Sequence, residues 1–544
     1  MKKLKYIIVA SIAISTMGSC KKFLDINKNP NSATESTPEL VLPQALTTTG
    51  GSMVGYNSYG GWQVGYMANA GGFGGFGSAL TYNWGQNDYT GLWGLYDNLQ
   101  DYQYILDKTE GDPLYANYNA IARIMKAMGF QMLVDQYNNI PYTTALKGSA
   151  NVAPSYDNAE DVYRDLYSQL DLAITTINNS ASQFPLNPGT TSFGSADPIF
   201  KGNMTSWKQL ANTLKLKLLI RASGKSTFSG VTPSFDAAGF ITADVISNPG
   251  YGKVDGQQNP MWSTYHSSVA GASAQSGRSN ITTNFVVTFY NGVKLLDANR
   301  AKAIYRGGTS PIRNQLGITD DNVPEAPANG PVWFSGNGST FAFGDDPDGT
   351  TSAKSAVGIL KGRNMGMVIM LAAESYFLQA EARVKGILAS GATAKDLFED
   401  GIEASFTYLY KNSTGNIGAN PLNLINPVAD AASYLTDNTT SKLVNFDLAV
   451  TNAEKLEAII TQKYIALNFI HGHEAWNEFR RTGYPTISGT GANTTFVSVL
   501  SAATTPDKLL GRVQYPASEY QINSKNVPSG ITVFGSYVFW DRRN

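Results

Sequence analysis

A single cysteine, Cys20, stands among 544 residues, so the chain can close no internal disulfide and build no thiolate metal cluster. Whatever it folds into must be held by its apolar core alone, and a chain of this length can bury one large enough. The same residue marks a boundary. Lys2, Lys3 and Lys5 make a cationic start, Tyr6 to Ile14 a short apolar run, and Met17-Gly18-Ser19 lead into Cys20. That run is too short to span a bilayer and has no stop-transfer flank, so it reads as a secretory signal. A signal ending on a cysteine is the layout of a bacterial lipoprotein. Residues 1–19 are therefore expected to be removed, leaving Cys20 as the lipid-bearing first residue. Each buried acyl methylene adds about 0.8 kcal/mol of membrane affinity. The alternative is a secreted protein with a chance cysteine at this place.

Charged residues are only 15 % of the chain, so Gly, Asn, Ser and Thr must satisfy much of the surface, which suits neutral polar ligands. Formal net charge is −1, and three of the lysines lie in the signal. No basic field exists to attract nucleic acid.

Apolar periodicity is helical in several places. Val162, Leu166, Leu170, Ala173 and Ile177 form one stripe, and Trp207, Leu210, Leu214 and Leu218 another, with Lys208, Lys215 and Arg221 left for the wet side. Met370, Ala373, Phe377, Ala380 and Val384 stop at Gly386; Phe398, Ile402, Ser405 and Leu409 follow after Ser390-Gly391, as a helix pair would. With Ile121 to Val134 and Leu456 to Ile470, the chain reads as mostly α: a tetratricopeptide-like helical-repeat scaffold with long irregular loop insertions. Residues 20–544 are expected to form one domain, with a loop-rich, ligand-facing region at about 223–357, where Gly, Ser, Asn and Pro replace the periodicity. Asp345-Asp346-Pro347-Asp348-Gly349 clusters oxygens before a glycine but lacks the alternation and terminal glutamate of an EF-hand loop, so it reads as a solvated turn.

Four blocks, in order along the chain, carry a resemblance. They are Cys20-Lys21-Lys22-Phe23-Leu24-Asp25 running on to Asn29-Pro30-Asn31; Asp197-Pro198-Ile199-Phe200-Lys201-Gly202 leading to Trp207, Asn212, Leu214 and Arg221; Glu474-Ala475-Trp476 with Arg480-Arg481-Thr482-Gly483-Tyr484-Pro485; and Tyr515-Pro516 with Glu519 and Asn523. Together they resemble the SusD/RagB-like nutrient-binding lipoproteins of Bacteroidetes. The resemblance implies a lipid-anchored protein on the outer face of the outer membrane. Such a protein captures an oligosaccharide or oligopeptide and passes it to a SusC-like TonB-dependent transporter. The residues themselves read as structural: Trp207 and Trp476 at core spacing, Arg480 and Arg481 favouring a helix C-terminus that Gly483 closes, and Asn29-Pro30-Asn31 as a turn.

Residues 51–96 hold 11 aromatics and 13 glycines with one charge, Asp88. A helix that buries aromatics does not need this much glycine, whereas a surface presenting rings on a close backbone can use it. Sugars offer apolar C–H faces to rings and hydroxyls to amides, without charge. The best cluster is Tyr82, Trp84, Asn87 and Tyr89. The family's glycan binders place a tryptophan and, three residues on, an amide just before a helix, a spacing Trp84 and Asn87 repeat ahead of Trp93-Gly94-Leu95-Tyr96. Trp93 and Tyr96 read as packing groups on one helical face. Trp262 and Tyr265, beside Gln257, Gln258 and Asn259, and Trp333 are further ligand candidates that could equally anchor loops.

No cofactor is implied, nor a metal. His471-Gly472-His473-Glu474 is the only metal-like grouping, and ligands two apart on a helix diverge unless Gly472 breaks it. No nucleophile elbow or Walker loop is present, and acylation would remove the thiol. The expected function is non-enzymatic binding of a neutral glycan, with a peptide binder of the same family and a surface-anchored, two-carboxylate glycoside hydrolase as alternatives.

Overall fold

The apolar stripes become helices because their ends are capped as well as their faces buried. The computed structural model describes residues 36–184, 186, 196–328, 330–334 and 356–544; Cys20, Asn29-Pro30-Asn31 and Asp345–Gly349 lie outside them. The long helices are α1 (Pro38–Gln63), α2 (Leu95–Thr109), α3 (Ala116–Tyr137), α4 (Ala159–Asn178), α5 (Met204–Arg221), α6 (Ala372–Val384), α7 (Ala394–Tyr410), α8 (Pro427–Asp437), α9 (Asn452–Ala466) and α10 (Gly472–Thr482). In α4 the Asn158 side chain accepts from the backbone N–H groups of Glu160 and Asp161, and all five residues of the stripe are buried. Thr393 with Asp396, and Thr451 with Glu454, close capping boxes on α7 and α9, each satisfying two otherwise orphaned donors. Gly483 ends α10 in the left-handed conformation, as its place in the sequence implies. Met370 falls in a strand ahead of α6 rather than on the helix, and α9 stops at Ala466.

From α1 to α8 each helix packs on the next; α9 lies against α6 and α7, and α10 against α1. Packing between successive neighbours is what a helical repeat requires, and the fold is mostly α and tetratricopeptide-like. Among the described residues sheet structure is confined to short pieces: β1 (Ala68–Asn69), β2 (Ile140–Pro141), β3 (Tyr156–Asp157), β4 (Val245–Ser247), β5 (Asn280–Thr283), β6 (Arg313–Asn314) and β7 (Met367–Met370). β5 pairs antiparallel with β1 and parallel with β6; β2–β3 and β4–β7 are antiparallel pairs. Between α5 and α6 the described backbone forms β4 to β7 and short helices joined by turns.

Glycine has a different use here from the one its abundance suggested. Residues 51–63 are part of α1, with Tyr56, Tyr59 and Trp62 in the core. A Cβ on Gly60 would lie 2.1 Å from the Gly472 carbonyl carbon, and one on Gly472 would lie 2.5 Å from the Gly61 nitrogen. Two helix backbones meet here with no side chain between them. Asn57 fixes the crossing, accepting from Gly472 N–H at 2.8 Å and donating to the Phe469 carbonyl at 3.1 Å. The aromatic faces of this stretch are packed inward, contrary to the expected display.

Charge is also buried where the sequence placed it outside. Lys215 and Arg221 are each about 1 % exposed. From Leu210 to Arg221 every residue of α5 is buried, so the polar face of this part meets protein instead of water. Lys215 Nζ donates to Asp171 and to the Ser234 carbonyl. Arg221 pairs with Asp135 at 2.9 Å and Glu474 at 2.6 Å, and Lys217 bridges Glu374 at 3.0 Å and Glu474 at 2.9 Å. Lys463 holds Glu478 at 2.9 Å, while Arg481 grips Glu381 at 2.6 Å and also pairs with Glu478. Burial alone would raise Glu374; Lys217 and Lys463 override it and hold its carboxyl down at about 2. Arg480 and Arg481 therefore do not cap α10: Arg480 donates to the Asp135 carbonyl at 2.6 Å and its guanidinium lies 4.8 Å from the Trp540 ring. Removing one partner of such a pair strands a buried charge at a cost of about 3–5 kcal/mol.

Candidate functional site

The loop that follows α1 is built to carry exposed amides on a buried aromatic footing. Gly65 turns the chain with φ 75°, and a Cβ there would lie 2.3 Å from that of Phe496. β1 then pairs with β5, Ala68 opposite Ile281, which ties the loop to the segment between α5 and α6. Residues 71–77 are mostly glycine, with Phe73 and Phe76 half-buried. Phe76 rests near Trp62 at 5.9 Å, and the Arg278 guanidinium lies 5.6 Å from the Phe73 ring.

Tyr82 and Tyr89 both adopt positive φ, 59° and 52°, so the chain reverses at each and its side chains divide between inside and outside. Tyr82 is fully buried, its hydroxyl accepting the Ser498 N–H at 3.1 Å. Trp84 is 6 % exposed and meets Tyr89 edge-on at 4.6 Å; its indole N–H has no acceptor among the described residues. Tyr89 is half-buried against Tyr59. Asn87 is exposed, and so is Asn83 between the two buried rings. Asp88, the loop's one carboxylate, is spent internally: Gly85 N–H donates to it at 2.7 Å and Ser78 Oγ at 3.3 Å. The Gln86 carbonyl accepts from Ala517 N–H and the Trp84 carbonyl from Gln514 Nε2, so the C-terminal segment braces the loop from behind. What residues 71–89 themselves turn outward is amides, backbone and partial ring faces, with the exposed Arg278 guanidinium lying over Phe73 at their edge. Beside this stretch, a cavity of about 630 Å³ is lined by Gln315, Thr490 and Ser498 together with the charged Asp507, Lys508 and Arg542.

Of the four clustered candidates, the structure brings Asn87 and part of Tyr89 to the surface, while Tyr82 and Trp84 form the footing. Asn83, Phe73 and Phe76 were missed by sequence reasoning. Alternation in Tyr82-Asn83-Trp84 was the available signal for Asn83, and the lack of apolar neighbours in 71–77 was that for the phenylalanines. Trp93 and Tyr96 pack as the sequence implies, Trp93 against Tyr137 at 4.8 Å and Tyr96 donating to the Pro141 carbonyl.

The other three candidates need correction. Trp262, Tyr265 and Trp333 are at most 1 % exposed. Trp262 stacks on His266 at 3.8 Å and Trp333 lies flat on Phe469 at 3.7 Å, with Tyr265 edge-on to Phe469 at 4.8 Å. Their faces are occupied by other rings, so they anchor loops and offer no stacking platform. Asn259 is likewise structural, capping the helix Pro260–Tyr265 and bonding the Met365 carbonyl.

Among the described residues no group of three His, Cys, Asp or Glu side chains is placed to hold a metal. His471 and His473 are buried, and Gly472 begins α10 rather than interrupting it. The three family-like blocks that lie within the described residues are structural devices. Asp197 accepts from the backbone of Ile199, Phe200 and Gly202 and from the Trp207 indole, Asn212 ties down Asp236 and Gly239, and Tyr515 donates to the carbonyls of Tyr137 and Asn139. No described helix is long and apolar enough to cross a membrane.

Residues 30–317 match the family described as "Starch-binding associating with outer membrane", and residues 338–538 that described as "Susd and RagB outer membrane lipoprotein". No curated protein matches the chain. Solved structures share the fold. A SusD homologue from Bacteroides fragilis is 22 % identical, with 93 % of this chain and 99 % of that one covered at a TM-score of 0.61. A chitin-binding SusD homologue from Flavobacterium johnsoniae is 23 % identical, covering 93 % and 96 % at 0.59. An outer-membrane protein from Bacteroides vulgatus, described as probably involved in nutrient binding, is 19 % identical over 93 % and 100 % at 0.63. With the Asp197, Trp476 and Tyr515 blocks each performing a structural task within this helical body, and family matches spanning both halves, the chain belongs to the SusD/RagB family of outer-membrane lipoproteins.

Proposed function

We propose that this protein is anchored through Cys20 to the outer face of the outer membrane, binds an oligomeric neutral glycan without cleaving it, and delivers it to a SusC-like TonB-dependent transporter. The observation that carries the reading is the outward face of residues 71–89, whose only carboxylate, Asp88, is consumed by internal hydrogen bonds. A surface of amides and half-buried rings selects a neutral, hydroxyl-rich ligand over a charged one. Asn87, Asn83 and the exposed parts of Tyr89, Phe73 and Phe76 would make the contacts. The chitin-binding relatives support a glycan over a peptide. Capture beside the transporter would raise the effective ligand concentration at its mouth with no chemistry required.

Titrating the mature protein with chitin oligosaccharides, other neutral glycans and peptides, and recovering the ligand afterwards, tests this. Saturable binding of a neutral glycan that returns intact supports the reading, whereas preference for peptides or repeated turnover of the glycan overturns it. Cys20→Ser should release the protein from membranes, and gentle detergent extraction of the native form should recover a β-barrel partner.

A further inference from the structure

A second cavity, of about 770 Å³, lies on the opposite kind of surface, between helices α2, α3 and α4, and its chemistry is charged. α3 contributes Arg123 and Lys126, one turn apart on one face. Neither contacts a carboxylate of a described residue. Lys126 Nζ donates to Gln103 Oε1 of α2, and Arg123 donates to Gln169 Oε1 of α4 and more distantly to Asn119. Each glutamine then turns its amide N–H₂ to an acid one turn away: Gln103 Nε2 to Asp107 at 2.7 Å, and Gln169 Nε2 to Asp165 at 3.3 Å. Tyr142 also donates to Asp165. Three cations and three carboxylates thus line one cavity, Lys147 and Glu110 being the other two, and in the Lys126–Asp107 and Arg123–Asp165 pairs an intervening amide holds the charges apart.

A scaffold that only needed stability would let those charges meet, as they do in the core around Arg221 and Lys217. Here the cations stay under-compensated. Arg123 Nε is buried with no hydrogen-bond partner among the described residues, and burial brings Lys126 down to about 8. Separated charges of both signs around a cavity of small-molecule size are complementary to a ligand that carries both signs itself.

We propose that this cavity binds a small zwitterion, an amino acid or short peptide, whose carboxylate lies against Arg123 and Lys126 and whose ammonium lies against Asp107 and Asp165. The site is distinct from the neutral loop surface and does not depend on it.

Calorimetric titration of the full mature protein with glycine and with triglycine tests the proposal and separates amino acid from peptide. At least one should bind saturably, while N-acetylglycine and glycinamide, each lacking one charge, should bind at least about tenfold more weakly. Arg123→Gln/Lys126→Gln should lower zwitterion affinity by about tenfold or more and leave glycan binding at residues 71–89 unchanged. If that double variant does not fold, Asp107→Asn, at an exposed position, gives the same reading from the other charge. No saturable binding of either zwitterion, equal binding of N-acetylglycine, or undiminished affinity in folded variants would each overturn the assignment.

Discussion

Trp84 shows how a spacing read from the sequence can carry an unexpected role. Its spacing to Asn87 was legible, but its side chain is buried against Tyr89, and truncating a buried tryptophan costs about 3–5 kcal/mol. Trp84→Ala is therefore expected to lower the melting temperature markedly. Asn87→Ala should leave the melt unchanged and weaken glycan binding several-fold, since an exposed amide contributes about 0.5–1.5 kcal/mol through one hydrogen bond. Thermal melts and titrations on both variants check this; the expectation fails if Trp84→Ala melts normally or Asn87→Ala binds normally. What the sequence could not supply was direction. Tyr82 and Tyr89 reverse the chain through positive φ, and neither residue type announces such a turn. Trp262 and Trp333 misled for a related reason: an aromatic in a polar, glycine-rich stretch reads the same whether it faces a ligand or plugs the loop onto the core.

Helices were the most legible elements, because a stripe such as Val162 to Ile177 fixes both the element and its buried face. α5 was the exception. Its apolar stripe was right, yet Lys215 and Arg221 are buried too, because their partners Asp171, Asp135 and Glu474 come from distant segments that periodicity cannot see. α1 was missed altogether, its glycines being taken as loop chemistry. That assignment makes a paired prediction. Gly472→Ala would drive a Cβ into the backbone of α1, 2.5 Å from the Gly61 nitrogen, and overpacking with no room to relax costs about 3 kcal/mol or more. Gly55 lies on the same helix with nothing within 4 Å of its would-be Cβ, so Gly55→Ala should stabilise by about 0.5–1 kcal/mol through helix propensity. Chemical denaturation of the two variants should move in opposite directions. Equal shifts would mean that α1 and α10 do not cross backbone to backbone.

At the scale of the whole molecule, the body with no disulfide is joined by an apolar core through which a network of buried charges runs, linking α3, α5, α6, α9 and α10. That arrangement sets its response to acid. Burial brings both His266 and His473 down to about 3 from an ordinary value of 6.5. Below pH 6.5 the unfolded chain takes up protons that the folded chain refuses, so stability falls as pH is lowered. Each histidine contributes up to about 1.4 kcal/mol per pH unit, continuing to about pH 3. Glu374, held at about 2 against an ordinary 4.5, adds the same sign of loss only below pH 4.5; Asp135, raised by its burial, works the other way. Between pH 6.5 and 4.5 the two histidines supply the falling slope, which Asp135 and Asp297, both raised by burial from the ordinary 3.8, offset in part. Denaturation midpoints measured across that interval should decline steadily, and His266→Gln should reduce the slope by about half. A wild-type stability flat from pH 6.5 to 4.5, or a slope unaffected by that substitution, would show that the histidines take up protons in the folded state. The polar core would then be open to water rather than sealed by the packing of α1 against α10.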